Sequence, residues 1–464
     1  MKSSHNYYTG KLLSCCLFIL SLFISCKKFV DIKPAPNLTE TATVFSNDQT
    51  AISAVAGVYI QMRGPSRNFT NGGMSIFGGL SSDEIYNTAT SPIYDPYYKN
   101  ALLSTTSTVF DNFWSPAYRN IYRINAILEG LETSGSVTLP VKNQLTGEMK
   151  MTRAFYYFYL VNLFGDVPLV ITTDYRINAI MPRTPVAHVY QQIVADLISA
   201  QSLLSSTYIS VNRGRPNKWT AASLLARVYL YQKDWANAEA QAAAVINSNM
   251  YSLETDLNKV FLIASNETIW QLASTGDAVN TDQGAIFIPA SASATAKPVL
   301  ALTTHLSNAF ELNDQRKTKW TKTNINGGVS YPYPYKYKQR TPTPLVEYNV
   351  VFRLAEQYLI RAEARAQQNN IPGAQSDLNI IRNRAGLADT TAITQADLLI
   401  AIEHERRIEL FTEWADRWLN LKRTDHAEAV LSPIKANWQN TDVLYPLPFV
   451  ELERNVFLTQ NPGY

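Results

Sequence analysis

After residue 26 this chain has no cysteine. Its three thiols, Cys15, Cys16 and Cys26, all lie in the first segment of a 464-residue sequence. Disulfides and cysteine-based metal sites are therefore excluded as supports of the fold. Net charge is also scarce: 41 Lys and Arg against 38 Asp and Glu leave +3. Removing residues 1–25 takes away Lys2 and Lys11 and no acid, which lowers the figure to +1. A near-neutral chain gives no electrostatic case for nucleic acid. The four histidines beyond the first segment are His188, His305, His404 and His426. None falls in a metalloprotease pattern, and Glu403-His404-Glu405 only looks ligand-like, because adjacent helical residues point in different directions. No P-loop, dinucleotide-binding glycine fingerprint or G-x-S-x-G elbow is present, so neither cofactor nor metal is expected. Only one long apolar run exists, Leu12 to Ile24. It falls short of the ~20 residues that span a bilayer.

What is there begins with that run. It follows a basic start at Lys2 and Lys11 and ends at Ser25, immediately before Cys26. A short apolar stretch followed by a small residue and cysteine is a lipoprotein signal. Cys26 is expected to carry the lipid, and each buried methylene of its acyl chains adds about 0.8 kcal/mol of anchoring. Cys15 follows Leu12-Leu13-Ser14 but has no apolar region before it. The organisation expected is a leader at 1–25, a lipidated tether at 26–45 containing Pro34 and Pro36, and a body at 46–464. The body divides near residue 255 into an N-terminal and a C-terminal part.

Most of the body reads as helix. Candidate helices run at 48–62, 113–132, 142–164, 186–205, 217–232, 235–248, 349–369, 372–385, 395–411 and 412–424. Short turns between neighbours imply antiparallel hairpins. Two hairpins resemble each other: Ala226 to Ala238 and Ala362 to Ala374 are equally spaced around polar turns. Small residues at such places let helices approach closely, the packing logic of tetratricopeptide repeats. The fold class expected is mostly α, a tetratricopeptide-like scaffold with long irregular, partly β insertions at 64–110 and 274–346.

In the C-terminal helices, Glu409, Glu413 and Arg417 step by four, which predicts one stripe with a Glu413–Arg417 pair. A half-buried salt-bridge lattice is the expected role of these charges, in preference to an anion site. The functional candidates are aromatic. Asp83, Tyr86, Tyr94, Tyr97 and Tyr98 fall in one insertion; Trp320, Tyr331 and Tyr333 fall in the other. If the segment from Tyr331 to Tyr337 is extended, period-two geometry puts its four tyrosines on one face. Aromatic faces beside amides and carboxylates suit sugars, whose C–H faces stack on rings. Asp83-Glu84 is where a glycoside-cleaving carboxylate pair would first be sought.

Several stretches resemble the SusD/RagB family of Bacteroidetes outer-membrane nutrient-binding lipoproteins. They are Arg153-Ala154-Phe155-Tyr156-Tyr157-Phe158 with Phe164-Gly165-Asp166-Val167-Pro168-Leu169, and the run from Arg353-Leu354-Ala355-Glu356 to Arg361-Ala362-Glu363-Ala364. Glu405-Arg406 through Arg417-Trp418 to Leu421-Lys422-Arg423, and the endings Tyr445-Pro446-Leu447-Pro448 and Asn461-Pro462-Gly463-Tyr464, complete the likeness. Ala415 stands where the family often has Gly, and Asn420 where it often has Asp. The resemblance implies a glycan-binding, or in some members peptide-binding, protein that hands its ligand to a SusC-like TonB-dependent transporter. Competing readings are a lipid-anchored glycosidase and a scaffold that binds only protein. Replacing Cys26 by Ala is expected to move the protein from the membrane to the soluble fraction, with glycan affinity of the soluble domain intact. Detergent partitioning with titration of the released protein checks both.

Overall fold

The computed structural model describes residues 41–274 and 279–464, with side chains from Thr43 onward. The leader, Cys26 and the tether up to residue 40 lie outside the described residues. A single helical turn, Thr41–Val44, belongs to the first of two units, and residues 45–464 form the second. Among the described residues no helix is long and apolar enough to cross a membrane.

The second unit is mostly helical. Its longer helices are α1 (Asp48–Met62), α2 (Gly73–Ser81), α3 (Ser115–Thr133), α4 (Leu139–Phe164), α5 (Val186–Leu203) and α6 (Lys218–Tyr231). They continue with α7 (Trp235–Ile246), α8 (Leu354–Gln367), α9 (Ile371–Arg384), α10 (Gln395–Leu410) and α11 (Asp416–Arg423). From α3 to α9 each helix packs on the next, and α10 closes on α8 and α9. This continuous array includes the step from α7 to α8, although more than a hundred residues separate them in sequence. At the centre lies α4, every residue of which is buried from Met151 to Val161. A helix apolar on all sides must sit inside, which explains the aromatic run Phe155-Tyr156-Tyr157-Phe158-Tyr159.

The two similar hairpins share their turn chemistry. Lys233 and Asn369 both take left-handed φ, 59° and 60°. The next residue caps the following helix in each: Asp234 accepts from the Asn237 N–H, and Asn370 from the Gly373 N–H. Ala226 and Ala238 are buried with Ile360 and Ala364, which couples α6–α7 to α8. Ala362 and Ala374 sit in the neighbouring cluster with Leu378 and Ile402. Inside the second hairpin, Arg361 donates to both oxygens of Asp377, at 2.9 and 2.7 Å.

Three expectations need correction. The predicted helix at 349–369 starts only at Leu354; Asn349–Arg353 is strand β6, antiparallel to β2 (Thr268–Leu272). Both strands are fully buried, so their short apolar runs lack the alternation that marks a half-exposed strand. The first insertion is less irregular than expected, because Gly73–Ser81 is helical. That helix is buried on every side and holds three glycines, so neither period nor propensity announces it. Finally, Glu413 and Arg417 do not share a stripe. The chain turns between α10 and α11, with Thr412, Trp414 and Ala415 at φ of 54°, 48° and 59°. Ala415 thus takes the backbone conformation that Gly adopts without strain, and Gly78 lies against it: a β-carbon there would fall 2.2 Å from the Ala415 Cβ.

The turn places Glu413 in a buried lattice of charge. Glu409, fully buried, accepts from three guanidiniums: Arg353 at 2.5 Å, Arg316 at 2.9 Å, and Arg384. Glu405 pairs with Arg316, Glu267 with Arg353 and Arg384, and Glu413 with Arg353 and Lys336. Burial would raise the Glu409 carboxyl, but Arg384, Arg353 and Arg316 together hold it well below the usual carboxylate range. A carboxyl with a depressed folded pKa contributes stability at neutral pH and loses it as pH falls through that pKa. Glu409→Gln should therefore cost about 3–5 kcal/mol in urea denaturation at pH 7. The gap to the wild type should close in acid, where the wild-type carboxyl also loses its charge.

Candidate functional site

Three short elements from the two insertions meet at one cleft. Strand β1 (Ile85–Asn87) pairs antiparallel with β3 (Leu300–Leu302), setting Tyr86 opposite Ala301. The hairpin of β4 (Thr321–Asn326) and β5 (Val329–Pro334) turns at Gly327-Gly328, both at positive φ as tight hairpin turns require. Because β5 lies beside β3, Tyr331 comes close to Tyr86. The short helix Asp95–Tyr98 adds Tyr98, whose ring centre is 6.3 Å from that of Tyr86. The loop before it is pinned by Asp95, which accepts from Asn87, Ser91 and Lys99.

The cleft measures about 400 Å³ and is lined by Asp83, Tyr86, Tyr98, His305, Pro332 and Lys435, with the hydroxyl residues Ser82, Thr303, Thr304, Ser307 and Ser330. Tyr86, Tyr98 and Tyr331 are each partly exposed. Burial pushes the Tyr86 phenol up, with Tyr331 and Tyr98 reinforcing the shift. Lys297 stands over the Tyr331 ring at 5.2 Å.

The charges behind the cleft are compensated. Asp83 accepts from Arg407 at 2.6 Å and from Arg417 at 2.8 Å. Burial would raise its carboxyl, but the two arginines bring it below the usual range. Burial pushes the neighbouring Glu84 up to about 8; its Oε2 accepts from the Thr412 N–H at 3.1 Å. Glu84 does not line the cleft, so the two carboxyls do not flank a common space as glycoside cleavage requires. Arg417, expected to pair with Glu413, is instead the partner of Asp83 and Glu403.

The aromatic residues singled out from sequence thus divide. Tyr86 and Tyr98 line the cleft with Asp83; Tyr331 is partly exposed and near Tyr86 but does not line it, because Ser330 and Pro332 on either side of it in β5 do. Tyr94, Tyr97, Tyr333 and Trp320 are core residues, and the expectation of open ring faces on them is corrected. Tyr97 is 0% exposed, packs 4.4 Å from Phe77 and bonds to Thr108. Tyr94 also lies against Phe77 and accepts from Arg67. Trp320, 0% exposed, donates to the Leu257 carbonyl at 2.9 Å and lies beneath Lys336 at 4.8 Å. It belongs to the charge lattice, not the cleft. Tyr333 packs edge-on to Tyr335, while the Tyr337 hydroxyl accepts from the Val350 N–H in the core, so the four tyrosines do not share one face. The strand ends at Pro334 and its alternation ends with it. His305 and Lys435 were not singled out by sequence reasoning; both are lone residues in stretches without a motif.

Residues 40–230 match a family model described as "Starch-binding associating with outer membrane", and residues 307–464 match the SusD family model. The chain belongs to the SusD/RagB family. Among curated relatives of this SusD-like chain, SusD-like protein P25 of Formosa agariphila is 24% identical, covering 97% of this chain and 98% of its own. SusD-like protein P2 of the same organism is 29% identical over 76% and 80%. A solved laminarin-binding SusD-like protein superposes with a TM-score of 0.78 at 25% identity, covering 90% of this chain and all of that one. A SusD superfamily protein from Bacteroides vulgatus shares the fold at 22% identity with a TM-score of 0.80 over 90% and 99%.

Proposed function

We propose that this protein is a non-catalytic, lipid-anchored component of the outer membrane. It binds an oligosaccharide or polysaccharide in the Tyr86–Tyr98 cleft and delivers it to a SusC-like TonB-dependent transporter. The observation that carries the reading is the cleft itself: partly exposed tyrosine rings, bordered by hydroxyl groups, with the buried acid behind them neutralised by two arginines. That surface suits an uncharged polyhydroxylated ligand, because ring faces take up sugar C–H groups while hydroxyls exchange hydrogen bonds. A SusD-like neighbour of the same fold is named for laminarin binding, which supports the ligand class. Anchoring through Cys26 and hand-over to a barrel rest on the leader sequence and on membership of the family. Tyr86 and Tyr98 are assigned to ligand contact. Asp83, Tyr94, Tyr97, Tyr333 and Trp320 are assigned to holding the walls.

A glycan array identifies the ligand, and calorimetric titration of variants then tests the cleft. Tyr86→Ala and Tyr98→Ala should each weaken binding about tenfold, since a stacked ring contributes on the order of 1–1.5 kcal/mol. Trp320→Ala should instead lower thermal stability. Unchanged affinity in both tyrosine variants, or turnover of the bound glycan, would overturn the reading.

A further inference from the structure

Lys435 reaches the cleft wall from a segment remote in sequence, just after the short helix Ala427–Leu431. Its Nζ donates to the Leu80 carbonyl near the end of α2, and at 2.9 Å to the carbonyl of Tyr98. Both carbonyls belong to helix C-termini, where no intrahelical N–H is available to them. The same ammonium lies 5.1 Å from the centre of the Tyr98 ring, within the range of a cation–π contact. One buried cation therefore holds the backbone that carries Tyr98 and touches the ring itself.

We propose that Lys435 is a positioning residue for glycan binding: by tying the end of α2 to the end of helix Asp95–Tyr98, its ammonium fixes the Tyr98 ring where a sugar face meets it. This rests on reading the cleft as the glycan site. Burial lowers the Lys435 ammonium to about 7, with Asp83 opposing the shift. The charged and titratable groups around it are Asp83, already paired with Arg407 and Arg417, then Glu84 beside Asp83, and His305, Tyr86 and Tyr98 on the cleft walls. A neutral amine keeps two N–H donors but loses its attraction to the carbonyls and to the ring. Glycan affinity is therefore expected to fall as pH rises through about 7.

The molecule contains its own control. Lys422 is also buried, donates to the carbonyls of Asn162 and Val443, stands 5.2 Å over the Trp418 ring and is lowered to about 7. It does not line the cleft. The test is titration of the array-selected glycan into wild type, K435M, K422M and H305Q between pH 6 and 8.5. Alongside it, fluorine NMR follows the Tyr98 signal of the unliganded, fluorotyrosine-labelled protein. K435M should bind about tenfold more weakly and lose the pH dependence. K422M should keep both affinity and profile. The Tyr98 signal should move through pH 7 in wild type and stay fixed in K435M. The proposal is overturned if K435M and K422M weaken binding equally, or if the pH dependence vanishes in H305Q and survives in K435M. If Tyr86→Ala and Tyr98→Ala both leave affinity unchanged, the cleft reading fails; if Tyr86→Ala weakens binding and Tyr98→Ala or K435M does not, only the role of Lys435 fails.

Discussion

Glu409 is the point at which the rest of this structure is joined. Its carboxylate meets guanidiniums from three parts of the chain: Arg316 of the second insertion, Arg353 at the end of β6, and Arg384 at the end of α9. Glu267, Glu405 and Glu413 compensate the same arginines, and Trp320 is enclosed by them. A buried charge set of this kind is weak evidence for stability in itself, since apolar residues of equal volume often do as well. What it supplies is geometry. Each fork accepts one arrangement of its carboxylates, so the insertions cannot slide over the helical array without stripping a charge of its partner.

The cleft inherits that geometry. Asp83 is held by Arg407 of α10 and Arg417 of α11, which fixes the start of β1 against the same helices that carry Glu405, Glu409 and Arg417. Tyr86 follows three residues later, Tyr98 is held through Lys435, and Ser330 and Pro332 arrive on the hairpin beside β3. A tyrosine cleft built from insertions is therefore seated on the helical array. A preorganised surface loses less conformational entropy on binding. Membership of the family and the aromatic cleft both point to glycan binding.

The helical array was largely legible in the sequence because amphipathic period and turn residues report local geometry, as in the paired turns at Lys233-Asp234 and Asn369-Asn370. Helix α2 and strand β6 were not, since elements buried on all sides carry no alternation to read. The turn at Thr412–Ala415 was hidden because its left-handed residues include Trp414 and Ala415, which do not advertise that conformation. For the cleft, the sequence singled out the two insertions that form most of it but could not say which ring faces out. Tyr97 and Tyr98 are neighbours, yet a helical step of about 100° sends one into the core and the other to the cleft. His305 and Lys435 were invisible because their roles depend on contacts between distant segments.

Crystal structures of the free protein and of its complex with the array-selected oligosaccharide would show whether buried charge holds a ready-made tyrosine cleft for the ligand. A sugar ring is expected to stack on Tyr86 and Tyr98, with the backbone of residues 83–98 and 329–334 shifted by less than about 1 Å between the two states. A glycan bound elsewhere, or a cleft that forms only after rearrangement of these segments, would contradict it.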